Sequence, residues 1–212
     1  MVQARLLEVA IDQFGRLGFE GASTRDIASA AGTAMSSITY HFGGKQGLYL
    51  ACADHLATLI RERQAPVFAA LADPARLDRG QATELLLGII DSLAAMMLDP
   101  ASASWTRFIV REQQQPTEAF DRLWQGAMAP MIDQAGGVLE RVMPGSDPQT
   151  RGMLAMLVFG QAMVLRAGRA SLCRIAGVDE LTEAEGASLR ALILRNTRAI
   201  LSADNLAAEN GE

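Results

Sequence analysis

Apolar residues recur at steps of three and four through most of this 212-residue sequence, and this periodicity limits the fold more than any other feature. Such spacing places apolar side chains on one face of an α-helix, whereas a strand requires strict alternation, which never runs far here. Leu7, Ile11 and Phe14 form one such stripe near the start. Half of the residues are apolar, enough to bury a core. The sequence therefore predicts an all-α protein.

Glycine, proline and capping residues divide the chain into predicted helices. Gly18 closes the first helix, and Ser23 or Thr24 caps a short second helix that Gly32 ends. The fourth helix is expected to stop ahead of Pro66. Apart from the second helix, the predicted ranges are 2–17, 34–40, 45–64, 80–98, 102–114, 117–141, 149–175 and 182–203. The last range opens on Thr182-Glu183-Ala184-Glu185, a capping-box sequence.

Several classes of protein lack their sequence signatures here. The chain contains no phosphate loop, no dinucleotide-binding glycine motif and no hydrolase nucleophile motif, so we expect neither enzymatic activity nor a cofactor. Cys52 and Cys173 lie too far apart to suggest a disulfide framework. Cys52 and His55 are one helical turn apart, but two ligands without a third do not predict a metal site.

The start of the chain lacks the charged-then-apolar pattern of a signal peptide. The most apolar stretch, residues 153–165, contains Gln161 and is shorter than the ~20 residues that a membrane span needs. We therefore expect a soluble, cytoplasmic protein.

The charges are unevenly distributed along the chain. Residues 1–64 carry six basic and six acidic side chains, so the formal net charge of −5 arises entirely from residues 65–212. A DNA-binding domain is usually basic when it is read alone. A neutral N-terminal segment joined to an acidic remainder therefore favours a DNA-binding protein whose affinity comes from two weakly binding domains acting together. The only lysine is Lys45.

The first 42 residues have the spacing of a helix-turn-helix. Ala28 is small where two helices must approach closely, Gly32 lies in the turn, and Ile38 is the apolar plug six residues later. An ordinary helical hairpin has a similar outline, so this spacing alone leaves both structures open.

A longer run of residues narrows that choice. It consists of Ala10, Phe14, Gly18-Phe19, Ser23-Thr24, Asp26-Ile27-Ala28, Ala30-Ala31-Gly32, Ile38-Thr39-Tyr40-His41-Phe42-Gly43-Gly44-Lys45 and Leu48. This run resembles the N-terminal domain of the tetracycline-repressor (TetR) family almost position for position. The resemblance implies that the second and third helices read DNA, with residues 34–39 in the major groove and Lys45 on a phosphate.

The resemblance implies a set of DNA contacts around these two helices. The predicted DNA-binding residues are Thr24, Arg25, Ala34, Met35, Ser36, Ser37, Thr39, Tyr40, His41 and Lys45. The sequence departs from the family at Thr39, where an aromatic residue is usual, and over residues 34–37. The individual base contacts therefore stay open.

Aromatic, methionine and charged side chains in the second half predict an effector pocket. The candidate residues are Met97, Trp105, Phe108, Arg111, Glu112, Phe120, Trp124, Met128, Phe159 and Met163. Methionine and aromatic side chains suit an adaptable apolar cavity, although plain core packing explains the same apolar residues. Arg111 and Glu112 either hold a polar group of an effector or pair locally ahead of Pro116.

The stretch Arg111-Glu112-Gln113 with Pro116, followed by Met128-Ala129-Pro130-Met131, is similar to a TetR subgroup with a CecR-type C-terminal domain. Members of that subgroup are linked to sensitivity to antibiotics and other toxic compounds. This resemblance implies a small-molecule effector of that kind.

The last two long predicted helices are apolar on more than one face, so each needs more cover than its own domain provides. Two such helices from each subunit would form a four-helix dimer interface, and the centre of a monomer core is the alternative. Gly160 and Gly168 would permit close approach there. The predicted interface residues are Leu154, Leu157, Val158, Leu165, Leu189, Leu192, Ile193 and Ile200.

These observations predict a helix-turn-helix domain at residues 1–46, an effector-binding and dimerisation domain at 47–203 and a flexible tail at 204–212. We expect a homodimeric repressor that a small apolar or amphipathic molecule releases from a palindromic operator. One alternative is a DNA-binding accessory protein without an effector. The other is a helical small-molecule-binding protein or enzyme.

Overall fold

The computed structural model describes residues 2–69 and 76–209. The regular structure in these ranges is entirely helical, which confirms the predicted fold class. The helices are α1 (Val2–Gly21), α2 (Thr24–Ala30), α3 (Met35–Phe42), α4 (Lys45–Ala69), α5 (Arg79–Leu98), α6 (Ala103–Gln114), α7 (Glu118–Leu123), α8 (Ala129–Val142), α9 (Pro148–Ala167), α10 (Arg169–Ala176) and α11 (Glu183–Glu209). A 3₁₀ turn precedes α6, and a π-helical turn, Trp124–Met128, joins α7 to α8.

The chain divides into two compact units. Unit 1 contains residues 1–63 and 101–129, and unit 2 contains residues 64–100 and 130–212. This division differs from the predicted boundary after residue 46, because α6 and α7 pack with the N-terminal helices rather than with the rest of the second half. Helix α11 runs to Glu209, so the structure continues the helix into the predicted tail, and residues 210–212 lie outside the described residues.

Helices α1 and α6 approach closely in unit 1. A Cβ added at Gly15 would lie 3.1 Å from the carbonyl oxygen of Ser104 and 3.2 Å from the Cβ of Arg107. Beside this contact, Arg107 Nη2 donates to Asp12 Oδ1 at 2.6 Å. The glycine therefore lets two helix backbones meet, and an ion pair lies at the edge of the contact.

Gly18 breaks helix α1, as the sequence predicts, with φ 76° and ψ 176°. This backbone conformation is almost restricted to glycine. The helix does not end there, however, because helical geometry resumes up to Gly21. The Arg111 guanidinium occupies the space beside the break, since a Cβ on Gly18 would lie 2.6 Å from Arg111 Nη1.

Helix α4 continues through Pro66 to Ala69, so its predicted end at residue 64 is wrong. A proline inside a helix removes one N–H donor and crowds the carbonyl four residues earlier, but the remaining hydrogen bonds can hold the helix together. Two other predicted helices are interrupted within their predicted ranges. The predicted helix 117–141 contains the π-helical turn, and the predicted helix 149–175 bends by 70° at the junction of α9 and α10.

Unit 2 is built on α5, which packs against α9 and α11. By length and composition α5 is apolar enough to cross a membrane, with a mean hydropathy of 1.4, and so is the bent pair of α9 and α10. Both segments are longer than residues 153–165, the stretch that the sequence indicated as most apolar. Half of the apolar part of α5 is buried within the protein, as in the core helix of a globular domain.

Candidate nucleic-acid interface

Helices α2 and α3 pack together around a tight turn. Ser23 Oγ accepts a hydrogen bond from the backbone N–H of Asp26 at 3.4 Å, which caps α2 and confirms Ser23 as the N-cap. Gly32 adopts φ 67° in the turn, a left-handed conformation that favours glycine. Ala28 and Ile38 fill the contact between the helices, at 2% and 1% exposure. These residues form the helix-turn-helix, which is one of the two structures that their spacing left open.

Helix α3 presents a row of exposed side chains to solvent, away from buried Ile38. Met35 is 55% exposed and Tyr40 is 85% exposed, and Ser36 and Thr39 are also exposed. Because Ile38 is buried, its packing determines the orientation of the helix about its axis. The exposed face offers a thioether, two hydroxyls and a phenol at one surface.

The remaining positions of the interface are more constrained. The hydroxyls of Ser37 and Thr33 lie 2.9 Å apart, which ties the first turn of α3 to the preceding loop. His41 Nδ1 lies 3.2 Å from Gln3 Nε2 of α1. Thr24 is half-buried at the start of α2, and Arg25 beside it is exposed.

Lys45 lies at the first turn of α4. Its Nζ donates to the carbonyl oxygen of Glu20 at 3.3 Å and lies 4.7 Å from the centroid of the Phe19 ring. An ammonium group has three donors, so these contacts leave capacity for a phosphate oxygen. The first N–H groups of a helix also lack intrahelical partners and attract anions. The lysine and the helix terminus thus place positive potential at one point.

Gly47 supports the connection between α3 and α4, a role that was not predicted from the sequence. A Cβ at Gly47 would lie 1.7 Å from the carbonyl oxygen of Phe42, so no side chain fits there. Gly43 and Gly44 adopt φ 74° and 121° in the connection from α3 to α4. The available signal was a glycine in the first turn of a helix, where glycine is costly. All of the predicted DNA-binding residues lie in unit 1, and their contacts with DNA stay predictions.

The predicted effector residues are divided between the two units. Those of unit 1 are Trp105, Phe108, Arg111, Glu112, Phe120, Trp124 and Met128. Those of unit 2 are Met97, Phe159 and Met163. Helical spacing cannot show this division, because it does not reveal which helices become neighbours.

Glu112 is buried at 1% exposure with both carboxylate oxygens bonded. Oε1 accepts from Tyr49 Oη at 2.5 Å, and Oε2 accepts from the Thr117 hydroxyl at 2.8 Å and its N–H at 3.1 Å. Burial raises the pKa of the Tyr49 phenol, and the hydrogen bond to Glu112 raises it further. The contacts with Thr117 are the local pairing that the sequence left open for Glu112, and a role toward an effector stays a prediction.

The aromatic side chains of unit 1 have different surroundings. Phe108 is core, at 1% exposure and with its ring centroid 4.9 Å from that of Tyr49. Trp124 is 40% exposed, and its ring stacks on Phe120 with centroids 6.2 Å apart. The Trp105 ring lies 4.5 Å from the Arg63 guanidinium. Trp124 and Phe120 are therefore the more accessible aromatic pair.

A small apolar cavity lies within unit 2, and of the predicted effector residues only Phe159 lines it. The lining residues are Leu86, Ala135, Leu139, Ala155, Val158, Phe159, Thr197 and Leu201. Its volume is about 10 Å³, close to the space that one water molecule needs.

Helices α9 and α11 of unit 2 expose an apolar surface that we call the α9/α11 face. Its most exposed large side chains are Met153, Met156, Leu157, Val164, Leu192 and Ile200. The face contains Leu157, Leu192 and Ile200 from the predicted dimer interface, and Leu154 and Leu189 are half-buried. Val158, Leu165 and Ile193 are instead at most 7% exposed within the single chain, which makes them core residues. Their place in a dimer interface stays a prediction.

Among the described residues, no group of three metal-ligating side chains comes together. Cys52 is fully buried, and burial raises the pKa of its thiol, which keeps it protonated and unreactive.

Comparison with known families accounts for most of the chain. Residues 6–52 match the family described as bacterial regulatory proteins, tetR family. Residues 82–203 match the C-terminal domain of the HTH-type transcriptional dual regulator CecR. The chain belongs to the TetR family of transcriptional regulators, with a CecR-type C-terminal domain. Its relatives are regulators rather than enzymes.

Two TetR-family relatives have similar sequences. The HTH-type transcriptional dual regulator CecR of Shigella flexneri is 34% identical over 131 residues, which cover 60% of this chain and 58% of CecR. The HTH-type transcriptional regulatory protein RaaS of Mycobacterium tuberculosis is 34% identical over 170 residues, 76% of this chain and 69% of RaaS.

Solved structures share the fold at lower sequence identity. A TetR-like regulator from Rhodococcus sp. RHA1 is 22% identical with a TM-score of 0.62, and the match covers 92% of this chain and 94% of that one. A TetR regulator from Legionella pneumophila is 23% identical with a TM-score of 0.58, over 91% and 95% of the two chains. These matches confirm the TetR-family fold.

Proposed function

We propose that this TetR-family regulator binds a palindromic operator as a homodimer and acts as a repressor. The exposed face of α3, held by buried Ile38, carries this proposal. One short helix per subunit buries little surface and reaches few phosphates, so a single copy would hold DNA weakly. A twofold dimer presents two such helices to successive major grooves, about 34–36 Å apart.

The α9/α11 face supports the dimer. Leu157 is 72% exposed and Met153 is 57% exposed, which is costly for apolar side chains in water. A Cβ on Gly160 would meet no atom within 4 Å, so this part of α9 is open to a partner helix. A twofold axis lets the same face on two copies cover itself.

We propose further that a small apolar or amphipathic molecule releases the operator. The support is the half-exposed stack of Trp124 on Phe120, which lies at the π-helical turn. Such turns are frequent at functional sites. Arg61 Nη1 of α4 donates to the carbonyl oxygen of Gly126 at 2.7 Å, so a change in this turn acts directly on α4, which begins at Lys45.

The required energy is modest. A ligand that prefers the non-binding conformation by ~2.7 kcal/mol shifts the equilibrium about a hundredfold. The effector then needs only a differential affinity for the two conformations. A cytoplasmic location follows from operator binding and is part of the proposal.

The test uses operator fragments selected from the source genome by binding to the protein. Their shared palindrome, labelled for fluorescence anisotropy, should bind the dimer and be released by compounds that stabilise the protein in a thermal-shift panel. Trp124→Ala should bind the operator normally but lose the response, whereas Ile175→Ala, at an exposed apolar residue of α10, should retain it. A Trp124→Ala protein with an unchanged response would place Trp124 outside the effector site.

An effector-independent regulator is the second candidate. The cavity that lies within unit 2 has space for about one water molecule, which is too little for a drug-sized effector at that place. A panel in which no drug or metabolite stabilises the protein would support this candidate over the ligand-responsive one. The description of CecR as a dual regulator also makes activation an alternative outcome of operator binding, and a promoter fusion separates activation from repression.

A further inference from the structure

Gln64 of α4 is the most unusual buried polar residue in the described part of the chain. Its side chain is 1% exposed, and neither Nε2 nor Oε1 has a hydrogen-bond partner among the described residues. A primary amide offers two donors and two acceptor lone pairs. Burial without partners forfeits the hydrogen bonds that water would supply, so native proteins seldom leave such a group unsatisfied.

The position of Gln64 shows that its burial is not a surface accident. Ala53, Ala57 and Ile60 are buried on the same face of α4, at helical steps that lead to residue 64. The flanking residues Arg63 and Ala65 are exposed, so the side chain at 64 is directed inward. An apolar residue would continue this face without the unsatisfied amide, and glutamine stands there instead.

The helix is also weakened next to Gln64. Pro66 has no N–H, so the carbonyl of Glu62, four residues earlier, loses its helical donor. The turn that carries Gln64 therefore has one hydrogen bond fewer than the turns before it. A turn of this kind can adjust to a bound molecule more easily than a fully bonded one.

We propose that Gln64 binds the polar end of the effector, and that this end is a neutral group with a hydrogen-bond donor and an acceptor side by side. A carboxamide, a lactam or a nucleobase edge has this chemistry and pairs with both free atoms of the Gln64 amide. A charged group fits less well, because burial beside Gln64 would remove its hydration. The inference rests on the proposed effector response and names the class of molecule that elicits it.

The experiment compares two probes of nearly equal shape, 1-naphthamide and 1-acetonaphthone. The first has an adjacent donor and acceptor, and the second has the acceptor alone. Titrations with the full-length protein should show about tenfold tighter binding of 1-naphthamide, the effect of about one good hydrogen bond. In ¹⁵N-glutamine-labelled protein, the side-chain amide signal of Gln64 should shift with 1-naphthamide only.

Gln64→Met keeps the length of the side chain and removes the unsatisfied amide, so this variant should fold at least as stably as the wild type. Its preference for 1-naphthamide should vanish. Gln134→Met, at an exposed glutamine of α8, should retain the preference. Equal affinities in the wild type, no binding of 1-naphthamide at millimolar concentration, or a preference that persists in Gln64→Met would each overturn the proposal.

Operator release is measured separately by anisotropy. Gln64-dependent binding of 1-naphthamide with unchanged operator affinity would support the site and contradict the proposed effector response. Release of the operator by other compounds, together with equal probe affinities in the wild type and Gln64→Met, would contradict this site and leave the effector response standing.

Discussion

Unit 1 and unit 2 are both helical, but they are held together differently. In unit 1 particular residues determine the packing: Gly15 admits α6, Gly18 breaks α1 beside Arg111, and buried Glu112 binds Tyr49. In unit 2 the helices also meet at ion pairs such as Arg190–Asp91, but the apolar α9/α11 face remains exposed. A unit packed by specific contacts can be complete in one chain, whereas a unit with an open apolar face is better completed by a second copy.

The largest expected effect comes from Leu157→Glu in unit 2. In a symmetric interface this change introduces like charges on both subunits, so we expect a monomer and an operator affinity lower by about 10²–10⁴-fold, because the linkage between half-sites is lost. Light scattering after size exclusion gives the mass, and anisotropy gives the affinity. Ile175→Glu, at a residue that is 83% exposed on α10, should remain dimeric. A fully active Leu157→Glu dimer would remove the α9/α11 face from the interface.

Glycine substitutions test the difference between the units directly. Gly18→Ala in unit 1 places a Cβ at φ 76° and 2.6 Å from Arg111 Nη1, so the free energy of unfolding should fall by about 1–3 kcal/mol. Gly88→Ala in α5 of unit 2 meets no atom within 4 Å and should raise it by up to about 1 kcal/mol. Urea denaturation measures both. Equal effects of the two changes would mean that unit 1 is no more dependent on particular residues than unit 2.

Lys45→Ala should weaken operator binding by about tenfold on every sequence, because a phosphate contact positions the protein without selecting bases. The salt dependence of log K should become shallower by about one unit. Arg16→Ala, on the exposed side of α1, is the matched control and should change neither quantity. Ser36→Ala should instead change base preference. A change of base preference in Lys45→Ala with intact affinity would contradict the proposed placement of α3 and α4 on DNA.

The smallest expected effect is the pH dependence of the helix caps. The Thr150 hydroxyl and N–H lower the pKa of Asp147, and Thr182 lowers that of Glu185 in the same way, both in unit 2. A folded-state pKa below the unfolded value stabilises the protein above the unfolded pKa, and this contribution is lost as the pH falls through the folded value. The cap of α2 in unit 1 is Ser23, whose hydroxyl does not ionise at acidic pH. This cap therefore adds no pH dependence to the stability of unit 1.

Asp147→Asn keeps an acceptor at the cap and removes the titration. The variant should lose less thermal stability than the wild type between about pH 5 and about pH 3. Asp133→Asn, at an exposed residue of α8, is the control for the loss of one charge. A melting temperature that depends on pH equally in Asp147→Asn and the wild type would show that this cap does not contribute to the pH dependence of stability.

Much of unit 1 was predictable from local sequence. Ser23, Ala28, Gly32 and Ile38 act within about fifteen residues of one another, so the local sequence indicates a turn, a cap beside it and a buried apolar residue. Gly47 escaped notice, because its contact with the Phe42 carbonyl appears only once α3 and α4 have their positions in space.

The sequence by itself determined the helical class, the helix-turn-helix and the TetR resemblance, because these depend on residues close together in the chain. Tertiary structure alone decided that α6 packs on α1, that Glu112 binds Tyr49, and that Val158 is buried while Leu157 is exposed. The physical reason is that periodicity shows which faces of a helix are apolar but not what covers them. That choice depends on contacts between residues far apart in the chain, such as Tyr49 and Glu112, which only the folded arrangement of helices brings together.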